Sequence, residues 1–255
     1  MFSQNLEVQK CDDCQCIMTK AKELGAHVQL IGGWAIFYRT SQDHVQTNYN
    51  FLQRKYADID IVGRAKEKKK IYQALQSCGY QPDDLFNGLY GDTRLLFRKA
   101  GEQLDVFLDK FEMCHSLDLS QSLNYPEETI GLGELLFTKL QIFEINEKDM
   151  KDLIRLLLYA DIDDKGQRGY SARDFLVKSC AEDWGPYKTL TNNLTKVGAF
   201  AEGLPLSAED GKLVQERIRG LVDDIERSDK SLKWKMRSRI GEKVRWYELP
   251  EEKKR

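Results

Sequence analysis

The chain has 255 residues, of which 41% are hydrophobic and 31% charged, and its formal net charge is −2. This composition is typical of globular proteins and argues against a disordered or fibrous chain, and the length fits two modest domains. The near-zero net charge argues against strong non-specific attraction of the whole chain to nucleic acid.

Three further features bear on the compartment. No window approaches the roughly 18 apolar residues that a membrane span needs, and residues 1–10 lack the apolar stretch of a secretory signal. Six cysteines are too few for a disulfide scaffold. We therefore expect a cytoplasmic protein with free thiols and no membrane contact.

The first half of the sequence predicts alternating helices and strands. Helices are expected at about residues 7–24, from Trp34 onward and at 66–76, and strands at 27–31 (HVQLI), 57–62 (ADIDIV), 95–98 and 104–108. The last two strands are separated by Ala100-Gly101-Glu102, which predicts a hairpin.

The second half predicts helices throughout. Apolar residues recur at helical spacing over residues 130–143, 148–159, 172–180 and 208–225. Polar residues and Pro126 cluster near residues 118–128. We therefore place a boundary there, between an α/β domain over residues 1–122 and a helical domain over 123–255.

Two local clusters have more than one interpretation. Residues 230–245 carry seven basic residues and one acid, with Trp234, Trp246 and Tyr247 in or beside them, so they could hold RNA phosphates and bases or could pack on the helices. Cys11, Cys14 and Cys16 lack the further Cys or His pair that structural zinc normally requires, so unligated thiols are expected.

Acidic residues on the predicted strands suggest a metal site. In ADIDIV the period-two pattern places Asp58 and Asp60 on one face, and Asp105 lies on another strand. A solvated strand face is the alternative, but the apolar neighbours predict a buried strand, where carboxylates need partners or metal. Mg²⁺ or Mn²⁺ prefers such oxygen ligands.

The Gly32-Gly33 pair lies between a predicted strand and helix. Glycines there let an anion approach backbone N–H groups at a helix N-terminus. A lone Gly-Gly is most often only a turn; its order before the Asp motifs gives it significance.

These motifs resemble a known family. IGGWA at residues 31–35, ADIDIV at 57–62 and LDVFLD at 104–109 are similar to the three signature motifs of the DNA polymerase β-like nucleotidyltransferase superfamily. The resemblance implies an α+β fold, with a mixed β-sheet and flanking helices in a nucleotidyltransferase domain, followed by a C-terminal helical bundle. It also implies that Asp58, Asp60 and Asp105 are catalytic and hold the metal.

The helical half resembles the toxin nucleotidyltransferases of abortive-infection and type IV toxin–antitoxin systems, through GELLFTKLQIF at 133–143 and EKDMKDLIRLL at 147–157. The resemblance implies that Lys139 contacts the triphosphate and that Lys148 and Asp149 belong to the nucleotide site, where Asp149 would support or help activate the acceptor. It also implies that an antitoxin is a partner. From the residues alone, Lys139 could equally extend to water, and Lys148, Asp149 and Asp152 could be helix-start charges.

One position departs from the family pattern. A Ser or Thr usually follows the double glycine, whereas this chain has Trp34. Phosphate binding would then rest on the backbone of Gly32 and Gly33, with Arg54 and Lys55 adding positive charge.

Two functions are compatible with the sequence. The first is a metal-dependent nucleotidyltransferase that moves a nucleoside monophosphate from a nucleoside triphosphate such as ATP to an acceptor hydroxyl and releases pyrophosphate. The acceptor could be RNA such as tRNA, a protein or a small molecule. The alternative is an inactive nucleotide-sensing or partner-binding module of the same fold.

Overall fold

The computed structural model describes residues 2–41, 49–53 and 58–249, with side chains described from residue 11 and excluding that of residue 41. The chain divides into two compact units. The first contains Met1–Arg39, Gln53–Phe111 and Asp118–Ile130, and the second contains Thr40–Leu52, Glu112–Leu117 and Gly131–Arg255. The predicted boundary at residues 122/123 falls inside the last segment of the first unit, and the division into two domains there stays a prediction.

The first unit is built on a five-stranded mixed sheet in the order β1-β2-β5-β4-β3. Its strands are β1 (Val28–Ile31), β2 (Ile59–Gly63), β3 (Gln81–Pro82), β4 (Arg94–Lys99) and β5 (Glu102–Leu108). β2 and β5 are parallel, and the other neighbouring pairs are antiparallel. The predicted mixed sheet is confirmed.

Four helices accompany this sheet in the sequence: α1 (Phe2–Glu23), α2 (Gly32–Ser41), α3 (Lys68–Ser77) and α4 (Asp84–Tyr90). Apolar side chains of α1 and α3, such as Ile17 and Leu75, are fully buried. Tyr72 of α3 meets Phe97 of β4 with ring centroids 4.9 Å apart. Because alternate strand residues share a face, α3 packs on the face that holds Phe97 and its cross-strand neighbour Leu104.

The hairpin of β4 and β5 turns at Ala100 and Gly101, whose φ angles are 51° and 85°. Positive φ at both central residues is the geometry that suits the twist of a two-residue hairpin. The predicted hairpin is confirmed, and its turn is one residue shorter than expected because Glu102 already pairs with Lys99.

Residues that follow the sheet in sequence complete its edge. The N–H of Leu30 donates to the carbonyl of Glu128, and the N–H of Ile130 donates back to the carbonyl of Leu30. Covering an edge strand satisfies its backbone groups. This pairing explains why residues 118–130 belong to the first unit.

The second unit is mainly helical, as predicted. Its helices are α5 (Leu132–Leu140), α6 (Glu147–Tyr159), α7 (Ala172–Glu182), α8 (Trp184–Glu202), α9 (Ala208–Arg227) and α10 (Leu232–Ile240). Fully buried leucines and valines form its core, among them Leu156, Leu176, Leu190 and Val214. Two short strands, β6 (Lys110–Glu112) and β7 (Ser116–Asp118), form a separate two-stranded sheet whose residues are divided between the two units. None of the helices in the described part of the chain is long and apolar enough to cross a membrane.

The cysteines differ from expectation. Cys16 of α1 forms a disulfide with Cys78, which directly follows α3, and their Cα atoms are 6.0 Å apart. Cys11, Cys14, Cys114 and Cys180 are free thiols. The expectation of free thiols was wrong for Cys16 and Cys78, because the packing of α1 beside α3 brings together two residues separated by 62 positions in the sequence.

Candidate active site

The Gly-Gly turn joins β1 directly to α2, as predicted. Ile31 ends the strand and Gly32 begins the helix with φ of 64°. A Cβ atom at Gly32 would lie 2.5 Å from Oδ2 of Asp60. Gly32 is therefore required both by its backbone angle and by the close approach of a carboxylate.

Asp60 and Asp105 are direct neighbours across parallel strands. They are register partners in the pairing of β2 with β5, so their backbones lie about 4.8 Å apart. Both lie on the sheet face opposite Phe97 and Leu104, the face away from α3. The side chain of Asp105 is buried, with 4% exposure. Asp60 thus lies between the glycine turn on one side and Asp105 on the other.

Asp105 accepts two short hydrogen bonds. Nε of Arg94 lies 2.7 Å from Oδ1, and Nε2 of Gln103 lies 2.6 Å from Oδ2. Arg94 begins β4, and Gln103 is two residues before Asp105 on β5. Each carboxylate oxygen therefore has one donor fixing its direction, and such charge-assisted bonds are strong.

Asp58 differs from the prediction. It is exposed and lies in a bend just before β2, which begins at Ile59. The expectation that Asp58 and Asp60 share one strand face was wrong, because period-two alternation applies only where the backbone is extended. Among residues 2–41, 49–53 and 58–249, no group of three His, Cys, Asp or Glu side chains is placed to hold a metal ion. The structure thus brings together Asp60 and Asp105, but not all three acids.

The remaining residues near the turn fall into two groups. Gly33 is buried, and Trp34 is 1% exposed, with its ring edge-on to Phe37 at 5.4 Å. The indole of Trp34 thus packs in the core. Arg54 and Lys55 lie outside the described residues.

Lys139, Lys148 and Asp149 belong to the second unit. Nζ of Lys139 lies 2.8 Å from Oδ1 of Asp149 and 3.0 Å from Oδ2 of Asp152, and Asp152 is almost fully buried. Lys148 is exposed. Lys139 is therefore shared by two carboxylates of α6 rather than extended into water.

Sequence reasoning gave no role to Arg94, Gln103 or Asp152. Gln103 was detectable, because it lies two positions from Asp105 on a predicted strand. Arg94 lacked such a signal, since its contact with Asp105 depends on the register of the hairpin. Asp152 lies one helical turn after Lys148 and appeared as one more charge near a helix start.

The tryptophans of the basic C-terminal segment pack against the second unit. The ring of Trp234 meets Tyr187 at 5.1 Å, and that of Trp246 meets Trp184 at 5.6 Å and Phe143 at 5.7 Å. Of the two interpretations of this segment, the structure supports packing for these two rings.

Two solved structures are similar to the chain at a low level. The solution structure of the antibiotic-resistance factor ANT(2'')-Ia has 13% identity and a TM-score of 0.35, over 86% of this chain and 96% of that chain. The crystal structure of ANT(2'')-Ia in complex with adenylyl-2''-tobramycin has 13% identity and a TM-score of 0.33, over 81% of this chain and 94% of that chain. No protein-family model and no curated protein matches the chain. We therefore infer function from the chain's own residues.

Proposed function

We propose that the chain is a metal-dependent nucleotidyltransferase that transfers a nucleoside monophosphate from a nucleoside triphosphate to an acceptor hydroxyl. The observation that carries this proposal is the position of Asp60, which lies against the glycine turn that opens α2 and is paired with Asp105 across β2 and β5. Carboxylates favour a divalent cation, and N–H groups at a helix N-terminus favour phosphate.

The donor atoms of this site fit Mg²⁺ or Mn²⁺. Mg²⁺ in phosphate-handling proteins is usually bound by one or two carboxylates, with phosphate and water completing its shell. Asp60 and Asp105 would be those ligands, and exposed Asp58 would join when nucleotide is present. The cation would neutralise charge that develops on the phosphate oxygens.

The chain's own residues would orient the reactants. Gly32 has no side chain to displace the Asp60 carboxylate, and Arg94 and Gln103 fix the direction of the carboxylate of Asp105, the cross-strand neighbour of Asp60. The acceptor oxygen forms a bond to the α-phosphorus, the bond to the bridging oxygen breaks, and pyrophosphate leaves. The proton of the hydroxyl passes to the carboxylate pair.

Transfer of label tests the proposal. The protein is incubated with each α-³²P-labelled nucleoside triphosphate and Mg²⁺, with total tRNA, an aminoglycoside or no added acceptor. We expect label transfer by the wild type and at least a 100-fold loss in Asp60→Asn and Asp105→Asn. Exposed Asp92→Asn, which makes the same chemical change at the surface, is the control and should retain activity.

The arms of this assay separate the acceptor classes that the sequence left open. Label on tRNA would support the toxin-like function, label on the protein would indicate protein modification, and label on the aminoglycoside would indicate a small-molecule acceptor. Equal transfer by the wild type and both Asp variants would contradict the proposed site.

The second candidate function is a nucleotide-binding module without transfer. It is favoured by the lack of a third metal-ligating side chain beside Asp60 and Asp105 in the described structure. A glycine turn blocked by the side chain of Trp34 would be one origin of such a module. The burial of Trp34 weighs against it, since the ring packs in the core instead of blocking the turn. Nucleotide binding that depends on Asp60 and Asp105, with no label moved to any acceptor, would establish this function.

A further inference from the structure

Arg94 has an unusual position beside Asp105. Its side chain is 28% exposed and its Nε donates to Oδ1 of Asp105. The guanidinium carbon lies 4.9 Å from the ring centroid of Phe107 and 5.9 Å from that of Phe86. A carboxylate on one side and aromatic rings on another thus fix the position of a partly exposed cation.

Most of the hydrogen-bonding capacity of Arg94 is available. A guanidinium has five N–H donors, and within the part of the chain that the structure describes only the Nε donor has an acceptor. The two terminal nitrogens form a planar fork, which matches the spacing of phosphate oxygens. Holding Arg94 by Nε leaves that fork for an anion.

The neighbourhood also requires a cation. A triphosphate beside Asp60 and Asp105 would bring its negative charge close to two carboxylates. Trp34 offers no hydroxyl to a phosphate, and Lys139 is shared by Asp149 and Asp152. Arg94 is in direct contact with one member of the aspartate pair.

We propose that Arg94 binds the triphosphate of the nucleotide donor through its terminal nitrogens, while Asp105 and Phe107 fix its orientation. This inference rests on the proposed function, since it names a further binding residue of the same site. Arg94 supplies a side-chain phosphate contact, which Trp34 cannot make.

Binding of inorganic tripolyphosphate with Mg²⁺, measured by calorimetry, tests this assignment without assuming a base. We expect Arg94→Gln to weaken tripolyphosphate about 10- to 100-fold, because a hydrogen-bonded charge contact is lost. Arg94→Lys keeps the charge but not the fork and should weaken it less. Binding of Mn²⁺ alone, measured by electron paramagnetic resonance, should be no weaker in Arg94→Gln, since a cation has been removed from beside the site.

Arg98→Gln is the matched control. Arg98 lies on the same strand and the same face as Arg94, four residues along, and pairs with Asp83 at 3.3 Å. Its replacement removes an equal charge and should leave tripolyphosphate binding within about threefold of wild type.

Three results would overturn the assignment. Unchanged tripolyphosphate binding in Arg94→Gln, together with loss in Asp60→Asn and Asp105→Asn, would leave the proposed function standing and exclude Arg94. Equal weakening of Mn²⁺ and tripolyphosphate would show that Arg94 only holds Asp105 in place. If Arg94→Gln does not fold, full tripolyphosphate affinity in Arg94→Lys would also exclude binding through the two terminal nitrogens of Arg94. Failure of the proposed function is distinct, because it appears in the label assay as no transfer, or as equal transfer by the wild type and both Asp variants.

Discussion

Gly32 shows how one missing side chain shapes the site. Alanine there would place a Cβ atom 2.5 Å from Oδ2 of Asp60 and would adopt φ of 64°. We expect Gly32→Ala to lose about 1–2 kcal/mol of unfolding free energy from the left-handed backbone, and to lose at least tenfold in nucleotidyl transfer because the Asp60 carboxylate is displaced. Urea unfolding and the label assay measure the two effects.

Gly101→Ala separates the effect of backbone strain from the effect of displacing the Asp60 carboxylate. Gly101 has φ of 85°, and a Cβ atom there meets no atom within 4 Å. This variant should lose similar stability and keep its activity. Equal activity in both variants would show that Asp60 does not need its present position.

Lys139 gives a second prediction at this scale. Its ammonium group is shared by Asp149 and the buried Asp152. Lys139→Met should therefore lower the free energy of unfolding by about 3 kcal/mol, because breaking a buried ion pair leaves carboxylate charge without its cation. Lys151→Met, which removes a surface pair with Glu147, should cost less than about 1 kcal/mol. Equal unfolding free energies for the two variants would contradict a structural role for Lys139.

At the scale of elements, hydrogen bonds hold the C-terminal segment beside His115. Nε2 of His115 lies 2.8 Å from Oγ1 of Thr189, and Nε1 of Trp246 donates to the same oxygen at 3.1 Å. The N–H of Glu248 donates to the carbonyl of Cys114. Burial lowers the pKa of His115 from 6.5 to about 4, although nearby Asp183 acts in the opposite direction.

This pKa difference predicts a stability change with pH. Between about pH 6.5 and 4 the unfolded chain binds the His115 proton and the folded chain does not, so stability is present above this range and falls as the pH falls through it. From about pH 7.5 to about pH 5 the loss from His115 is roughly 2 kcal/mol. Urea unfolding at the two pH values measures the loss, and His115→Gln should reduce it by that amount. An identical pH dependence in the variant would contradict the buried, neutral histidine.

The sequence predicted those elements well whose geometry depends on residues adjacent in the chain. The hairpin at Ala100-Gly101, the strand before Gly32 and the helices α5, α6, α7 and α9 have signals in adjacent residues, whereas α8 had no prediction of its own. Pairings across the sequence were not predictable in this way. The disulfide of Cys16 with Cys78 and the contact of Arg94 with Asp105 depend on packing and register. Asp58 lies outside β2, which begins at Ile59, two residues later than predicted.

At the scale of the whole molecule, the chain contributes separated segments to each unit. A change in composition near residues 118–128 marks where helical patterns begin. It carries no information about the earlier segments, Thr40–Leu52 and Glu112–Leu117, that belong to the second unit. Thr40 accepts a hydrogen bond from Nε of Arg155 at 2.7 Å, and both belong to the second unit. Tertiary contacts therefore decide which segments of the chain belong to each unit.

Because each unit contains separated segments of the chain, a fragment that contains only one of them should be less stable. A fragment of residues 123–255 lacks Tyr49, whose hydroxyl donates to Asp210 at 2.6 Å and accepts from the N–H of Ser207 at 2.8 Å, and it lacks the buried His115. We expect it to retain helical circular dichroism but to unfold at lower urea with a smaller dependence on denaturant, since less surface is buried. In the intact chain, Tyr49→Phe removes only the hydroxyl and should cost about 1–2 kcal/mol. A fragment that unfolds at the midpoint of the intact chain would instead show that residues 123–255 form an independent domain, because the returning segments would then add no stability.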